Sequence, residues 1–321
     1  MMEPAQSMGG ATAPVRPFIE VFEVWTPDDK GERLTLATGV YGEKTAFAEK
    51  SAGMSFAKGE GLPGKAWSDG APVVLNGFQG TFFVRTEAAA ESGLTTAIAI
   101  PAIQNGKLTG VLVLFCSDLD SRSGAIEVWR EDPSQDGVLV LDDGYYGAAE
   151  HFEWVSRRTQ FPRGQGLPGA VWASAAAMLL RDLGSTYRFV RAESAGRAGI
   201  TTGLGLPVET TAGDVVVVTL LSALGTPIAR RFEIWNAIGG SGEDSGSFEL
   251  VDGVCEIEGP LWEKERKVAP WEGPIGQVAG SQAPLAQGRD GVAGLPSGYR
   301  AVVAAPIFRK GRLAQIAAWY F

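Results

Sequence analysis

The chain has 321 residues, of which 45% are hydrophobic. Because a single core seldom grows beyond about 250–300 residues, this length and composition predict two or three domains. The net charge is −9, from 28 basic and 37 acidic residues with no run of lysine or arginine, which argues against nucleic acid as a partner.

The first segment, residues 1–17, contains mostly Met, Ala, Gly and Pro and is predicted to be a flexible leader. It lacks the charged start and the apolar block of a secretory signal. The longest apolar runs, such as residues 215–221, have the length of a strand and fall short of the roughly 20 residues that span a bilayer. Cys116 and Cys255 are the only cysteines, too few for a disulfide framework or a multi-cysteine metal site. We therefore expect a soluble protein of the reducing cytoplasm, with no membrane partner and no metal.

An opening hairpin and two helices are predicted next. Strand-forming residues 23–25 (Glu-Val-Trp) and 34–36 (Leu-Thr-Leu) flank the turn-forming residues 27–31. Residues 63–67 begin with Pro-Gly and predict a short helix whose tryptophan packs on the sheet. Residues 83–92 are rich in alanine and glutamate and end before a glycine, so they predict a second helix.

A closing hairpin follows, in which residues 96–103 and 111–116 flank the turn signal Asn105-Gly106. The predicted order is strand, strand, helix, helix, strand, strand. This order indicates the α+β class, with a mainly antiparallel sheet and short helices packed mostly on one face.

The same pattern recurs after roughly 105 residues, about the size of a small domain. The matching features are Glu-Val-Trp at 23–25 and 127–129, Gly-x-Tyr-Gly at 39–42 and 144–147, Gly-x-Gly-Leu-Pro-Gly at 59–64 and 164–169, a tryptophan at 67 and 172, Phe-Val-Arg at 83–85 and 189–191, and Gly-x-Thr-Thr at 93–96 and 199–202. Each feature alone is weak, but their agreement in spacing predicts that each period is one folding unit.

A third copy begins with Phe-Glu-Ile-Trp at residues 232–235. It retains Gly273, Gly276, Gly298 and Pro306 but lacks the Leu-Pro of the glycine motif and the Phe-Val-Arg triplet. Either it caps the array or it no longer binds what the other copies bind. The predicted modules are residues 18–117, 124–224 and the divergent 230–321.

The motif Gly-Glu-Gly-Leu-Pro-Gly-x-x-Trp at 59–67, followed by Ala-Ile-Pro at 99–101 and Gly-Val-Leu-Val-Leu at 110–114, resembles the GAF family of ligand-binding regulatory domains. The resemblance covers nearly all of residues 18–321. The Glu-Val-Trp start and the Phe-Val-Arg spacing are most similar to the GAF-like domains of plant and algal NIN-like nitrate-responsive regulators, although no DNA-binding segment of that group is present. The resemblance implies a sensor in signal transduction that binds a small molecule and passes its signal to another protein chain.

Arg85 and Arg191 are the candidate ligand-binding residues. Each is expected to open a helix beside the ligand cavity of its module, where a guanidinium can hold nitrate, phosphate or a carboxylate with two hydrogen bonds. The alternative is that each arginine secures its own helix through backbone carbonyls or a neighbouring acid. Hydroxyl groups at the start of the next strand could assist the arginines, although threonine is also ordinary strand composition. These hydroxyl groups belong to Thr95, Thr96, Thr201 and Thr202.

The glycine motif is interpreted as structural, because it lacks the Lys-Ser/Thr ending of a P-loop and the spacing of a dinucleotide fingerprint. It predicts a tight turn into a helix whose tryptophan lies in the core. Its residues are Gly61, Pro63, Gly64 and Trp67 in the first copy, and Gly166, Pro168, Gly169 and Trp172 in the second.

His151 is the only histidine, so a histidine pair for a metal or a Ser-His-Asp triad cannot be assembled. The two cysteines lack the surroundings of a covalent bilin site and are too few for methionine sulfoxide chemistry. We therefore expect no catalytic residues and no cofactor. The leading hypothesis is a non-enzymatic regulatory protein that binds a small molecule through the first two modules. The alternative is a structural or protein-interaction module with degenerate pockets.

Overall fold

The computed structural model describes residues 17–117, 122–185, 189–239, 245–255, 259–261, 266–289, 295–296 and 298–321. Within these ranges the strands form three sheets, and every pair of neighbouring strands runs antiparallel. All but the last residue of the predicted leader 1–17 lie outside the described residues. The predicted α+β class, with mainly antiparallel sheets and short helices, is confirmed.

The first unit is a six-stranded sheet in the order β3-β2-β1-β6-β5-β4. Its elements are β1 (Ile19–Pro27), β2 (Arg33–Val40), α1 (Thr45–Ala52), β3 (Ser55–Ala57), α2 (Gly61–Asp69), β4 (Val73–Asn76), α3 (Thr86–Glu91), β5 (Thr96–Gln104) and β6 (Lys107–Cys116).

The second unit repeats this arrangement, with strands in the order β10-β11-β12-β7-β8-β9. Its elements are β7 (Ser123–Glu131), β8 (Val138–Gly147), α4 (Glu150–Ser156), β9 (Phe161–Pro162), α5 (Gly166–Ser174), β10 (Met178–Leu180), α6 (Ala192–Arg197), β11 (Ile200–Glu209) and β12 (Val215–Ala223).

The third unit keeps the same path, β15-β14-β13-β19-β18-β17, with β16 also paired to β14. Its elements are β13 (Arg231–Ala237), β14 (Phe248–Cys255), β15 (Gly259–Pro260), β16 (Lys267–Val268), α7 (Gly273–Ser281), β17 (Leu285–Gly288), β18 (Ala301–Arg309) and β19 (Arg312–Tyr320).

The predicted hairpins and both predicted helices are present, but the predicted element order was incomplete. Helix α1 and the short strands β3 and β4 were not predicted, and the helix expected over 83–92 is the shorter α3. Helix α1 has eight residues and no side-chain cap at Lys44, so the sequence carries no start signal for it. At the closing hairpin, Asn105 and Gly106 have φ values of 50° and 74°, as a type I′ turn requires.

The register identifies the corresponding residues of the three units. The second strand of each unit has a β-bulge at the same point, where Ala37, Asp142 and Val251 are the extra residues opposite Val24-Trp25, Val128-Trp129 and Ile234-Trp235. Because the bulges and the strand orders coincide, positions in one unit can be matched to positions in the others.

Each sheet is buried on both faces. In β5, Ala97 and Ala99 belong to the core under the helices of the first unit. Ile98 and Ile100 alternate with them and belong to a second core, to which all three sheets contribute. Burial on both faces explains why these strands read as continuous apolar runs.

The units form a closed ring around this shared core. Strands β5, β11 and β18 contact one another, and the equivalent residues Pro101, Pro207 and Pro306 line a cavity of about 30 Å³ where they meet. At the ring's periphery, β4 contacts β8, β10 contacts β13, and β17 contacts β2. The chain therefore has approximate threefold symmetry, with each unit touching both others.

Candidate functional site

A buried carboxylate lies at the centre of each sheet, on the face covered by helices. Glu23, Glu127 and Glu233 are each 0% exposed. Each stands two residues before the tryptophan of its strand, so glutamate and tryptophan share a face. The tryptophan Nε1 donates to the carboxylate over 2.9 Å in the first unit, 3.1 Å in the second and 3.0 Å in the third.

In the first unit this carboxylate holds Arg85 with two hydrogen bonds. Arg85 Nη1 donates to Glu23 Oε1 over 2.5 Å, and Nη2 donates to Oε2 over 2.8 Å. Nη1 also donates to Ser51 Oγ, and Tyr41 donates to Glu23 Oε1. Neither charged side chain is exposed, so the ion pair is sealed inside the unit.

The second unit repeats this network at equivalent positions. Arg191 donates from Nη1 to Glu127 Oε1 and to Ser156 Oγ, and from Nη2 to Glu127 Oε2 over 2.9 Å. Tyr146 donates to the same carboxylate, as Tyr41 does in the first unit. Thr219 adds a hydrogen bond of 2.8 Å to Glu127 Oε2.

Aromatic rings surround both guanidinium groups at 4.6–5.8 Å from ring centroid to Cζ, a distance that permits cation–π attraction. The rings around Arg85 are Trp25, Phe47, Phe56, Phe83 and Phe115, and those around Arg191 are Trp129, Phe152, Phe161 and Phe189.

The third unit keeps the carboxylate but supplies its counter-charge differently. Arg231, on the same strand, donates to Glu233 Oε1 from Nε over 2.8 Å. Arg266 donates to the same oxygen over 3.2 Å and is itself partly exposed. Asp290, which stands at the sequence position of the missing arginine, lies outside the described residues. The absence of this arginine was predicted from the sequence, but its replacement by Arg231 and Arg266 was not.

Arg85 and Arg191 are adjacent to their helices as predicted, at the residue before α3 and before α6. Their forks are occupied by Glu23 and Glu127, which sequence reasoning missed. The signal was present, because residues i and i+2 of a strand share a face and each glutamate is paired in this way with a tryptophan. Among the described residues, both Arg85 Nε and Arg191 Nε are buried without a hydrogen-bond partner.

The candidate threonines of the first and second units lie in different surroundings. Thr96 opens β5 and is buried. Thr95 donates its backbone N–H to the carbonyl of Cys116. Thr201 and Thr202 line a cleft between the second and third units, which Arg191 does not line.

The glycine motif forms a tight turn into a helix, α2 in the first unit and α5 in the second. Gly61 and Gly166 have φ values of 58° and 62°, which favour glycine. A Cβ on Gly64 would lie 2.2 Å from the carbonyl oxygen of Ala57, and one on Gly169 would lie 2.3 Å from that of Pro162. The motif therefore allows the helix backbone to lie close to the backbone of Ala57 or Pro162. The prolines of the motif are buried within the helices.

The tryptophans of this motif differ in burial. Trp172 is 6% exposed and belongs to the core of the second unit. Trp67 is only partly buried and packs against the edge of its core, so the expectation that it is a core residue was too strong. The third unit has Ala279 at this position and places Trp271 in the preceding turn, where its indole covers Gly280.

His151 lies on α4 and stacks on the exposed Trp154 at 6.1 Å. Cys116 and Cys255 are both buried, and Cys255 Sγ lies 2.9 Å from Tyr299 Oη. Among the described residues, no three His, Cys, Asp or Glu side chains are grouped to hold a metal ion. None of the described helices has the length and apolar character that crossing a membrane requires.

The titration of Glu127 gives a pH prediction. Burial raises the pKa of this carboxyl, but the charge of Arg191 and hydrogen bonds from Arg191, Thr219 and Trp129 outweigh it, so the pKa lies below its usual value of 4.5. A carboxyl group whose pKa is lowered by folding stabilises the fold at pH values above its unfolded-state pKa. This stabilisation is lost as the pH falls through the folded-state pKa. We expect the free energy of unfolding in urea to fall from pH 5 to pH 3, and to fall less in Glu127→Gln. Equal slopes for the two proteins would contradict this assignment.

Comparison with known proteins identifies the first unit. Residues 19–128 match the family model of the GAF domain. This GAF domain contains the whole first sheet, with Glu23, Arg85 and the glycine motif. No curated protein matches the sequence.

The solved structures that are similar include further GAF domains. The GAF domain of A. aeolicus nlh2 in an inactive state is 25% identical, with 32% of this chain and 60% of that chain covered and a TM-score of 0.26. Free methionine-R-sulfoxide reductase from Neisseria meningitidis is 20% identical over 30% of this chain and 52% of that one, with a TM-score of 0.25. NreA from Staphylococcus aureus, mutated in its nitrate-binding site, is 16% identical over 31% and 72%, with a TM-score of 0.26. The chain thus spans about half to three fifths of the length of the first two.

Proposed function

We propose that this chain is a non-enzymatic regulatory protein of the cytoplasm that acts through contacts with another protein chain. In this proposal all three units are GAF-like modules in tandem, with bounds near 18–117, 124–224 and 230–321. The interiors of the first two modules are closed by their own side chains, so recognition takes place on the outside of the ring.

The observation that carries the proposal is that Glu23 and Glu127 already accept the paired hydrogen bonds of Arg85 and Arg191. The Arg85 and Glu23 side chains are both 0% exposed, and the second unit repeats the pair at 1% and 0%. A ligand anion would have to displace a carboxylate that also accepts hydrogen bonds from a tyrosine and a tryptophan. The displaced carboxylate would remain buried without its partner, which costs several kcal/mol.

Exposed apolar side chains on the helical faces support recognition from outside. Val84 and Val190 occupy equivalent positions, are 47% and 62% exposed, and lie beside the first glycine of each motif helix. Trp154 and Trp271 are also more than half exposed. Apolar groups repeated on a solvent-facing surface are suited to contact with a partner protein.

Calorimetry with nitrate, phosphate and acetate tests the closed interior. We expect no saturable heat with the wild-type protein. Arg85→Lys and Arg191→Lys keep the charge but remove the fork, so each is expected to lower the free energy of unfolding by about 1.5–3 kcal/mol without changing the anion titrations. Saturable binding that either lysine variant weakens would overturn the proposal.

A second candidate, a small-anion sensor, is favoured by one feature. Arg85 Nε and Arg191 Nε are buried donors without partners at equivalent positions, and an oxygen of nitrate or a carboxylate could accept from each. The resemblance of the Glu-Val-Trp and Phe-Val-Arg motifs to those of NIN-like nitrate-responsive regulators is consistent with this candidate. In that case the lysine variants should bind at least tenfold more weakly at their own sites, and the third unit, without an equivalent arginine, should not bind.

A further inference from the structure

The first and second boundaries between units share one hydrogen bond to the backbone but are filled by different side chains. At the first boundary Asn76 donates to the carbonyl of Gly144 over 3.3 Å, and at the second Arg181 donates to that of Gly253 over 2.8 Å. Gly144 pairs with Glu127 and Gly253 with Glu233, so the two carbonyls occupy the same position. The side chains beside these contacts can therefore be compared position by position.

A tyrosine fills the first boundary. Tyr145 pairs with Ile126 in the sheet and is 8% exposed. Its ring lies 5.2 Å from that of Phe18, and its hydroxyl donates to the carbonyl of Ser117 over 3.0 Å. The phenol group thus bridges the first and second units.

A phenylalanine fills the third boundary. Phe321 follows the last strand, and its ring lies 4.5 Å from that of Phe22, the residue equivalent to Ile126. The first and third boundaries are therefore each packed by an aromatic side chain, although the two rings come from different positions.

The second boundary has neither ring. Val254 pairs with Phe232 and so stands where Tyr145 stands in the first boundary. Ser222 pairs with Thr202, and Cys116 pairs with Thr96, so Ser222 and Cys116 occupy equivalent positions. In the third unit the register places Phe321 at this same position. A cleft of about 420 Å³ results, and both Val254 and Ser222 line it.

The walls of this cleft suit a small amphipathic molecule. Phe232, Val254 and Ala229 supply apolar surface, and Thr201, Thr202 and Arg230 supply polar groups. Ala223, which also lines the cleft, occupies the position of Ser117, whose carbonyl accepts from Tyr145. A backbone carbonyl can accept a second hydrogen bond.

We propose that the cleft between the second and third units binds a small phenol, with its ring in the place of the Tyr145 ring and its hydroxyl donating to the Ala223 carbonyl. Such a ligand would bridge two units, as Tyr145 does within the chain. This inference is independent of the proposed function, because the cleft lies outside the interiors that hold Arg85 and Arg191.

Titration of the full chain with 4-methylphenol, which reproduces the tyrosine side chain, tests the inference by calorimetry. We expect one site with a dissociation constant on the order of 0.1–1 mM. Toluene, which lacks the hydroxyl, should bind at least fivefold more weakly. Val254→Tyr should abolish binding, because its own side chain then fills the cleft. If Val254→Tyr does not fold, Ser222→Phe closes the same cleft from the other wall.

Tyr145→Val is the matched control, because it opens the equivalent cleft at the first boundary. We expect this variant to bind two molecules of 4-methylphenol and to recover part of its lost melting temperature when the phenol is added. The inference is wrong if wild type binds no 4-methylphenol, or if Val254→Tyr and Ser222→Phe bind it as wild type does. Nitrate or phosphate binding would leave this result unchanged, so failure of the proposed function is separately visible.

Discussion

Glu127→Ala is expected to lower the free energy of unfolding by about 3–5 kcal/mol, because it leaves the Arg191 charge buried without its partner. Arg191 is 3% exposed, so water cannot replace the lost carboxylate without opening the unit. Urea unfolding at pH 7, followed by tryptophan fluorescence, measures the change. Glu153→Ala is the control, since Glu153 pairs with Arg157 on the surface of α4 and should cost about 0.5 kcal/mol or less.

The double variant Glu127→Leu with Arg191→Met separates loss of the pair from loss of one partner. A buried ion pair replaced by apolar side chains of similar volume is often close to neutral. We therefore expect the double variant to be more stable than Glu127→Ala. A Glu127→Ala protein as stable as Glu153→Ala would show that the pair contributes nothing.

Trp25→Ala is expected to cost about 3–5 kcal/mol, because its indole is 0% exposed and packs edge-on against Phe56 at 4.7 Å. The variant also removes a hydrogen bond to Glu23. Trp67→Ala, in the same unit, is the matched control and should cost clearly less, because Trp67 is only partly buried. Thermal and urea unfolding of both variants provide the comparison.

Equal destabilisation by the two tryptophan variants would contradict the burial difference between Trp25 and Trp67. A larger loss from Trp67→Ala would restore the expectation that the tryptophan of the glycine motif lies in the core.

The local architecture was largely readable from the sequence, because turn and strand signals act over a few residues. The Asn105-Gly106 turn and the positions of Gly61 and Gly64 follow from backbone geometry that few other residues can adopt. Helix α1 could not be predicted, since it has no side-chain cap and is stabilised by tertiary packing of Phe47.

The candidate site was predicted only in part. Arg85 and Arg191 stood out because they recur, but a repeated arginine does not reveal its partner from 62 or 64 residues away. The glutamates recur equally well, yet a charged residue in a strand is ordinarily solvent-exposed. Likewise, continuous apolar strands indicate burial on both faces but do not specify that three sheets cover one another.

The ring has a consequence for how the chain can vary. A linear array has two end copies, either of which can act as a cap, whereas a ring has no ends. Three separate, identical subunits in such a ring would carry every substitution at all three contacts at once. Joining the copies in one chain removes this constraint, so one contact can hold Tyr145, another Phe321 and the remaining one Val254. A single boundary can therefore differ from the other two without weakening them.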